Sequence, residues 1–193
     1  MFVVRRAFDH EYHKYADHLK ALDSESKRLR FTCNVSDYFI DQLVKTVIAN
    51  SDKHILFVVE NDKFEFIGVG HLALGEDTEI ALSVLKDHQG QGIGNALMQR
   101  MIKYCRIKRY LKGYMLCLPT NYAIRHLCDK YNVQVQIQHD DAIGTVEFAE
   151  PTFITYLDEN ASSNLEFIDF INRRVLSMWS LGSYFNTSGT GEI

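Results

Sequence analysis

Residues 88–94 read His88-Gln89-Gly90-Gln91-Gly92-Ile93-Gly94, and they stand between two segments of different period. Upstream, Glu79-Ile80-Ala81-Leu82-Ser83-Val84 reads as a strand; downstream, Asn95 to Tyr104 repeats its apolar residues at helical spacing. The glycines therefore occupy the turn where a strand enters a helix. Glycine lets the main chain approach an anion without an intervening Cβ, and a helix start adds unpaired N–H donors and a partial positive charge. The spacing predicts a phosphate cradle.

Two familiar nucleotide motifs are excluded by the same residues. A dinucleotide fingerprint GxGxxG needs Gly or Ala at the sixth position counted from Gly90, where Asn95 stands, and no Lys-Ser/Thr pair follows as a nucleotide-triphosphate loop requires.

Working outward, His54–Val59, Phe66–Leu74 and Thr78–Val84 are strand candidates separated by short polar turns, which predicts an antiparallel meander. Before them, Phe2–Phe8 reads as a first strand and Glu11–Leu22 as a helix. Asp23–Arg28 reads as a loop, Leu29–Phe31 as a short apolar interruption, and Ser36 as the N-cap of a helix over Asp37–Ala49. After the glycine turn and its helix come a strand at Tyr114–Leu118, a short helix at Asn121–Lys130, and strands at Val133–Ile137 and Thr145–Phe148 joined by a connection over Asp140–Gly144. The expected order is β-α-α-β-β-β-α-β-α-β-β. The spacing predicts a domain over residues 1–150, a helical extension over 151–183 with its dense apolar pattern at Leu165–Leu181, and a disordered tail over 184–193.

Composition narrows the partners. A net charge of −4 gives no electrostatic footprint for nucleic acid. Met1-Phe2-Val3-Val4-Arg5-Arg6 is too short and too charged for a signal peptide, and no stretch approaches the ~20 apolar residues of a membrane span, so a cytoplasmic protein is expected. The four cysteines, Cys33, Cys105, Cys117 and Cys128, are widely spaced, and neither a metal site nor a disulfide framework is expected.

Three blocks resemble the GNAT acetyltransferase superfamily, most closely its bacterial protein-lysine acetyltransferase branch, a domain also found fused to acyl-CoA synthetases. Glu79, Ala81, Val84, Gln89, Gly90, Gly92 and Gly94 are similar to the branch's E-x-A-x-x-V-x-x-x-x-Q-G-x-G-x-G. Leu22–Phe31 is similar to L-S-x-E-S-x-x-x-R-F, with Asp23 in place of the usual Ser; Leu118, Asn121, Ile124 and Leu127 are similar to L-x-x-N-x-x-M-x-x-L. The resemblance covers about residues 1–150. It implies an α/β (α+β) GNAT fold: a mixed, mainly antiparallel sheet splayed between its fourth and fifth strands, flanked by helices, here with an extra C-terminal helix. It also implies acetyl-CoA as co-substrate, lying in the splay. Leu82, Ser83 and Val84 would run beside the pantetheine arm, Gln89, Gly90, Gln91, Gly92, Ile93, Gly94 and Asn95 would hold the pyrophosphate, and Asn121 would face the pantetheine or the departing thiol. Many GNAT enzymes place a tyrosine acid seven residues beyond that asparagine; this chain has Cys128 there.

Acetyl transfer to an amine needs the free base. A lysine-like amine of pKa ~10.4 is protonated at pH 7, and supplying the neutral form costs roughly 4–5 kcal/mol at about 1.36 kcal/mol per pKa unit. Glu79, five residues before Val84, is the candidate general base, with a polar strand start as its structural alternative. A backbone N–H near Val84 could polarise the thioester carbonyl. Tyr122 and Tyr131 are the nearest tyrosines and read as packing residues. Cys128 reads as a buried thiol, because His126 lies two residues away on a helix and points elsewhere. The basic run Arg100, Lys103, Arg106, Lys108, Arg109 and Lys112 could meet the 3′-phosphate of CoA or an acidic partner, or simply complement a helix end and face solvent. The expected acceptor is a protein lysine, with a small-molecule amine as alternative. A non-catalytic acyl-CoA sensor or interaction module is the reading from another class. The C-terminal helix is expected to pack on the domain or to form a homodimer.

Overall fold

The glycine turn sits at the centre of a seven-stranded sheet of order β1-β2-β3-β4-β5-β7-β6. The strands are β1 (Arg5–Arg6), β2 (His54–Glu60), β3 (Phe66–Ala73), β4 (Thr78–Val84), β5 (Lys112–Cys117), β6 (Gln134–Gln138) and β7 (Asp141–Glu147). The helices are α1 (His13–Ala21), α2 (Ser24–Phe31), α3 (Asp37–Ala49), α4 (Ile93–Ile107) and α5 (Tyr122–Lys130). The computed structural model describes residues 2–138, 141–152, 155–157, 161–162 and 164–174.

Every neighbouring pair is antiparallel except β4–β5. The β2-β3-β4 meander forms as its short polar turns predict. Central strand β2 reads Ile55-Leu56-Phe57-Val58-Val59 without alternation because both of its faces are covered. Leu56, Val58 and Val69 meet Tyr15, Leu19, Ile40 and Val44 of α1 and α3. On the other face Ile55, Phe57, Leu72 and Ile80 meet Leu97, Met98 and Met101 of α4. Helix α4 lies close to β3: a Cβ on Gly68 would stand 2.5 Å from Ile93 Cγ2, and one on Gly70 would stand 2.7 Å from Met101 Sδ.

Three expectations are corrected. Ser24–Phe31 is a helix, not a loop with an apolar interruption: Asp23 caps it by accepting from Ser26 N–H at 2.9 Å, and Glu25 pairs with Arg28 at 2.8 Å one turn on. Such a helix is stabilised by its cap and its ion pair, so it shows no apolar stripe. The first strand shortens to Arg5–Arg6, because a 3₁₀ turn at Asp9–Glu11 follows it at once. The last two strands run further than expected, since Gln138 pairs with Asp141, and residues 141–144 belong to β7 and not to a connection.

Residues 164–174 are helical (α6), and the expected helix beyond 174 and the expected tail over 184–193 lie outside the described residues. Helix α6 lies on the domain. Arg100 Nε donates to Glu166 at 2.8 Å and Phe170 meets Phe8 edge-on at 5.2 Å. Lys103 reaches Ser162 at 2.9 Å and Arg106 reaches the Ala149 carbonyl. Much of the basic run on α4 thus holds the C-terminal segment. Among the described residues, no helix is long and apolar enough to cross a membrane.

Candidate active site

The parallel pair β4–β5 is joined in register only at Thr78–Gly113 and Glu79–Tyr114. Beyond Glu79 the two strands diverge, and a cleft of about 300 Å³ opens between Ile80–Val84 on one side and Met115–Leu116 on the other. Leu85 N–H donates to the Ile67 carbonyl, and antiparallel ladders alternate, so Ala81 and Ser83 aim their backbone groups at β3. Leu82 and Val84 aim theirs into the opening. This leaves main-chain donors and acceptors at the cleft wall.

The glycine turn closes one end. Gly90 and Gly92 take φ of 73° and 89°, the left-handed region, and a Cβ at either would touch nothing within 4 Å. Their need is therefore conformational. Gly92 caps α4 with no side chain in place, and the first internal helix bond is Ala96 N–H to Gly92 O at 3.0 Å. The N–H groups of Ile93, Gly94 and Asn95 precede that bond and stay free for an anion. Gly94 differs from the other two. It is helical, and a Cβ there would meet Leu82 and Leu127 at 3.7 Å across the cleft. Gln89 ties the turn to its neighbours, donating from Nε2 to Val84 O and to Ser26 Oγ, both at 3.1 Å.

Leu82, Ser83, Val84, Gln89, Gly90, Gly92, Ile93, Gly94 and Asn121 all line the cleft. The side chains of Gln91 and Asn95 do not: Gln91 Nε2 donates to Asp87 O at 3.1 Å, and Asn95 Oδ1 accepts from Tyr131 Oη at 3.0 Å. Tyr131 is therefore a packing residue that positions Asn95. Asn121 is the N-cap of α5, its Oδ1 accepting from Ile124 N–H at 3.2 Å. Glu79 stands just beyond the cleft lining, half-buried at the joined end of β4–β5.

By the period-two alternation of a strand, Glu79, Ala81 and Ser83 share one face of β4, and that face is polar. His18 Nε2 lies 2.9 Å from Ser83 Oγ and its Nδ1 lies 2.7 Å from Phe66 O, so the imidazole donates to the carbonyl and accepts from the hydroxyl. His71, opposite Ala81, meets His54 at 2.9 Å and the ring of Tyr15 at 5.6 Å. Burial pushes His18 down to about 4 and His71 down to about 3, and the charge of Arg30 works in the same direction. Both are neutral at pH 7. Burial, and then the negative charges of Glu79 and Asp77, push the Tyr114 hydroxyl up, so it stays protonated beside Glu79.

Cys128 is fully buried against Met115 Sδ at 3.4 Å, and burial pushes its thiol up to about 11. That is a packing thiol. Ser26 and Arg30 fall in the Leu22–Phe31 block but carried no role in the sequence, because they stand one turn apart on the unrecognised helix α2; Tyr114 was missed, since it becomes Glu79's neighbour only through strand register. Among the described residues, no group of three or more His, Cys, Asp or Glu side chains could hold a metal ion.

A sheet parted between its fourth and fifth strands, with a glycine turn leading from the fourth into a long helix, is the GNAT fold. Residues 52–132 match the family model described as acetyltransferase (GNAT) domain. No curated protein matches the chain. Among solved structures, the GNAT domain of S. lividans PAT superposes with a TM-score of 0.62 at 16% identity, covering 75% of this chain and 89% of that one. The spermidine N-acetyltransferase from Vibrio cholerae, in complex with CoA and spermine, superposes at 0.59 with 17% identity, covering 75% and 94%. The PaiA N-acetyltransferase from Thermoplasma acidophilum, in complex with coenzyme A, superposes at 0.58 with 15% identity, covering 77% and 99%.

Proposed function

We propose that the chain is an acetyl-CoA-dependent N-acetyltransferase whose acceptor is a primary amine, preferentially a protein lysine, with Glu79 as general base. One observation carries this reading: a carboxylate stands at the point where β4 and β5 part, at the far end of a cleft that begins in an uncapped helix start. The free N–H groups of Ile93 to Asn95 suit a diphosphate, and the backbone of Leu82 and Val84 suits an amide-bearing arm. Acetyl-CoA supplies the activated acyl group. A main-chain N–H at the end of β4 polarises the carbonyl, and Glu79 takes the proton from the attacking amine, directly or through a water. Tyr114, protonated beside Glu79, is a hydroxyl able to steady that carboxylate. The preference for lysine rests on the motifs shared with the protein-lysine branch.

A second reading, an acyl-CoA-binding module without turnover, is favoured by one feature: the buried Cys128 thiol stands where many GNAT enzymes carry a tyrosine acid. Thiol release from acetyl-CoA, measured with a panel of proteins and small amines, separates the two. Glu79→Gln is expected to lower kcat/KM by about 10²–10⁴-fold, the usual contribution of a general base. Unchanged activity of that variant between about pH 6 and 9 sinks Glu79 as base. CoA binding with no acceptor stimulating release establishes the binding module instead.

A further inference from the structure

An arginine on the polar side of the cleft, Arg30, and the carboxylate of Glu79 just beyond the lining do not pair. Arg30, one turn after Ser26 on α2, lines the cleft. Its Nη2 donates to Tyr15 Oη at 3.3 Å, while its Nε is sealed from solvent and has no hydrogen-bond partner. Among the described residues it has no carboxylate within ion-pair distance. The protein's buried arginines are treated differently. Arg5 is clamped between Glu11 and Glu60, each at 2.7 Å, and Arg100 is held by Glu166 at 2.8 Å.

The ring of Phe31 lies 5.0 Å from the Arg30 guanidinium, and among the described residues no carboxylate pairs with it. Tyr15 and His18 on α1 and His71 on β3 are its polar neighbours, and the two histidines are neutral. A half-buried guanidinium without a counter-charge at the wall of a cleft is a good binding group for an anion brought in from outside, most of all a planar carboxylate.

We infer that Arg30 is a specificity-determining residue that binds a carboxylate of the acceptor, so that the acceptor presents its amine to Glu79 and a carboxylate to Arg30. The inference rests on the acyl-transfer reading above. Its geometry follows from β4. Arg30 donates to Tyr15, whose ring packs on His71, opposite Ala81, and which shares α1 with His18, bonded to Ser83. Those positions lie one and two side-chain steps from Glu79, about 7–13 Å along a strand rising ~3.3 Å per residue. A lysine side chain spans the shorter distance. The carboxylate can belong to a free amino acid or to an Asp or Glu beside an acceptor lysine. A polyamine is disfavoured, because it would bring a second cation to Arg30.

The test uses N-α-acetyl-lysine and N-α-acetyl-lysine methylamide, which share one amine and differ in the carboxylate. With the full chain at low salt, the acid is expected to exceed the amide in kcat/KM by about tenfold or more, mainly through KM, as a charge-assisted pair implies. Arg30→Met should bring that ratio to about one, and Arg30→Lys should keep part of it. CoA affinity, measured by calorimetry without acceptor, should not change in either variant. Capped peptides with Glu or Gln beside the lysine then tell a protein source from a free amino acid.

Equal kcat/KM for the acid and the amide in the wild type overturns the inference. So does Arg30→Met lowering kcat equally for both, or weakening CoA, which would assign Arg30 to the thioester or to the cofactor. If Arg30→Met does not fold, the wild-type ratio and Arg30→Lys decide. If no amine is acetylated, calorimetry of the same two compounds in the presence of CoA still reads the site. Binding of the acid alone would uphold Arg30 while removing the acyl-transfer reading, and equal binding or none would remove both.

Discussion

Gly92 and Gly94 are two residues apart in one motif, yet alanine should destabilise the protein at the first position and not at the second. Gly92 holds φ of 89° with open space where a Cβ would go, so the cost there is backbone strain alone. For an L-residue in the left-handed region that is about 1–2 kcal/mol, or a fall of roughly 2–8 °C in Tm for a chain of this size. Gly94 is helical, and its Cβ would make ordinary contact with Leu82 and Leu127 at 3.7 Å. Alanine there gains helix propensity, up to about 1 kcal/mol in a helix interior and less in a first turn. The same Cβ enters the cleft. CoA affinity should therefore weaken for both variants, while urea denaturation shows Gly92→Ala less stable than wild type and Gly94→Ala as stable or slightly more so. A bulkier Gly94→Val should abolish CoA binding in calorimetry while the domain stays folded. Wild-type affinity in Gly94→Val refutes the cradle, and a Gly92→Ala protein as stable as wild type refutes the strained turn.

Acid should destabilise the protein before its carboxylates titrate. His18 and His71 are held near 4 and 3 in the folded state against 6.5 in a free chain, so the unfolded state gains protons first as pH falls. Stability should then fall by several kcal/mol between about pH 6.5 and 4, and His71→Gln should flatten that slope in denaturant titrations; equal slopes would count against the buried neutral pair. Iodoacetamide on the native protein should label Cys33, which is exposed, and spare Cys105, Cys117 and Cys128, which are buried. Cys128→Ala should keep its acetyl-transfer activity, and a loss greater than about tenfold with the fold intact would point to an acyl-cysteine intermediate.

Features governed by local backbone chemistry were legible in the sequence. The glycine turn was readable because left-handed φ at Gly90 and Gly92 is a property of the residue, and α3 because Ser36 accepts from Phe39 N–H at 3.2 Å. Helix α2 was not readable: Ser24 to Arg28 has no apolar stripe, and its helicity comes from Asp23, the Glu25–Arg28 pair and its packing on β4 and β5. That omission hid the place of Ser26 and Arg30 at the cleft. The cofactor expectation at Asn121 was readable from a motif, but its role as the cap of α5 needed the structure. Glu79 beside Tyr114, and His18 on Ser83, join residues far apart in the chain, which only strand register and helix placement bring together.

Register is also what separates two kinds of chemistry on one strand. Ile80, Leu82 and Val84 share the face of β4 that packs with α4, whereas Glu79, Ala81 and Ser83 face α1 and α2. An acyl chain can lie against the first set while proton transfer proceeds among the second. A slip of one residue in the β3–β4 pairing, Ala73–Glu79 through Gly68–Val84, would exchange the two sets and bury Glu79 under α4. Gly68 and Gly70 oppose that slip, because only a strand without Cβ atoms at those points admits Ile93 and Met101. The packing that seats α4, and with it the glycine turn, thus also fixes which way Glu79 points.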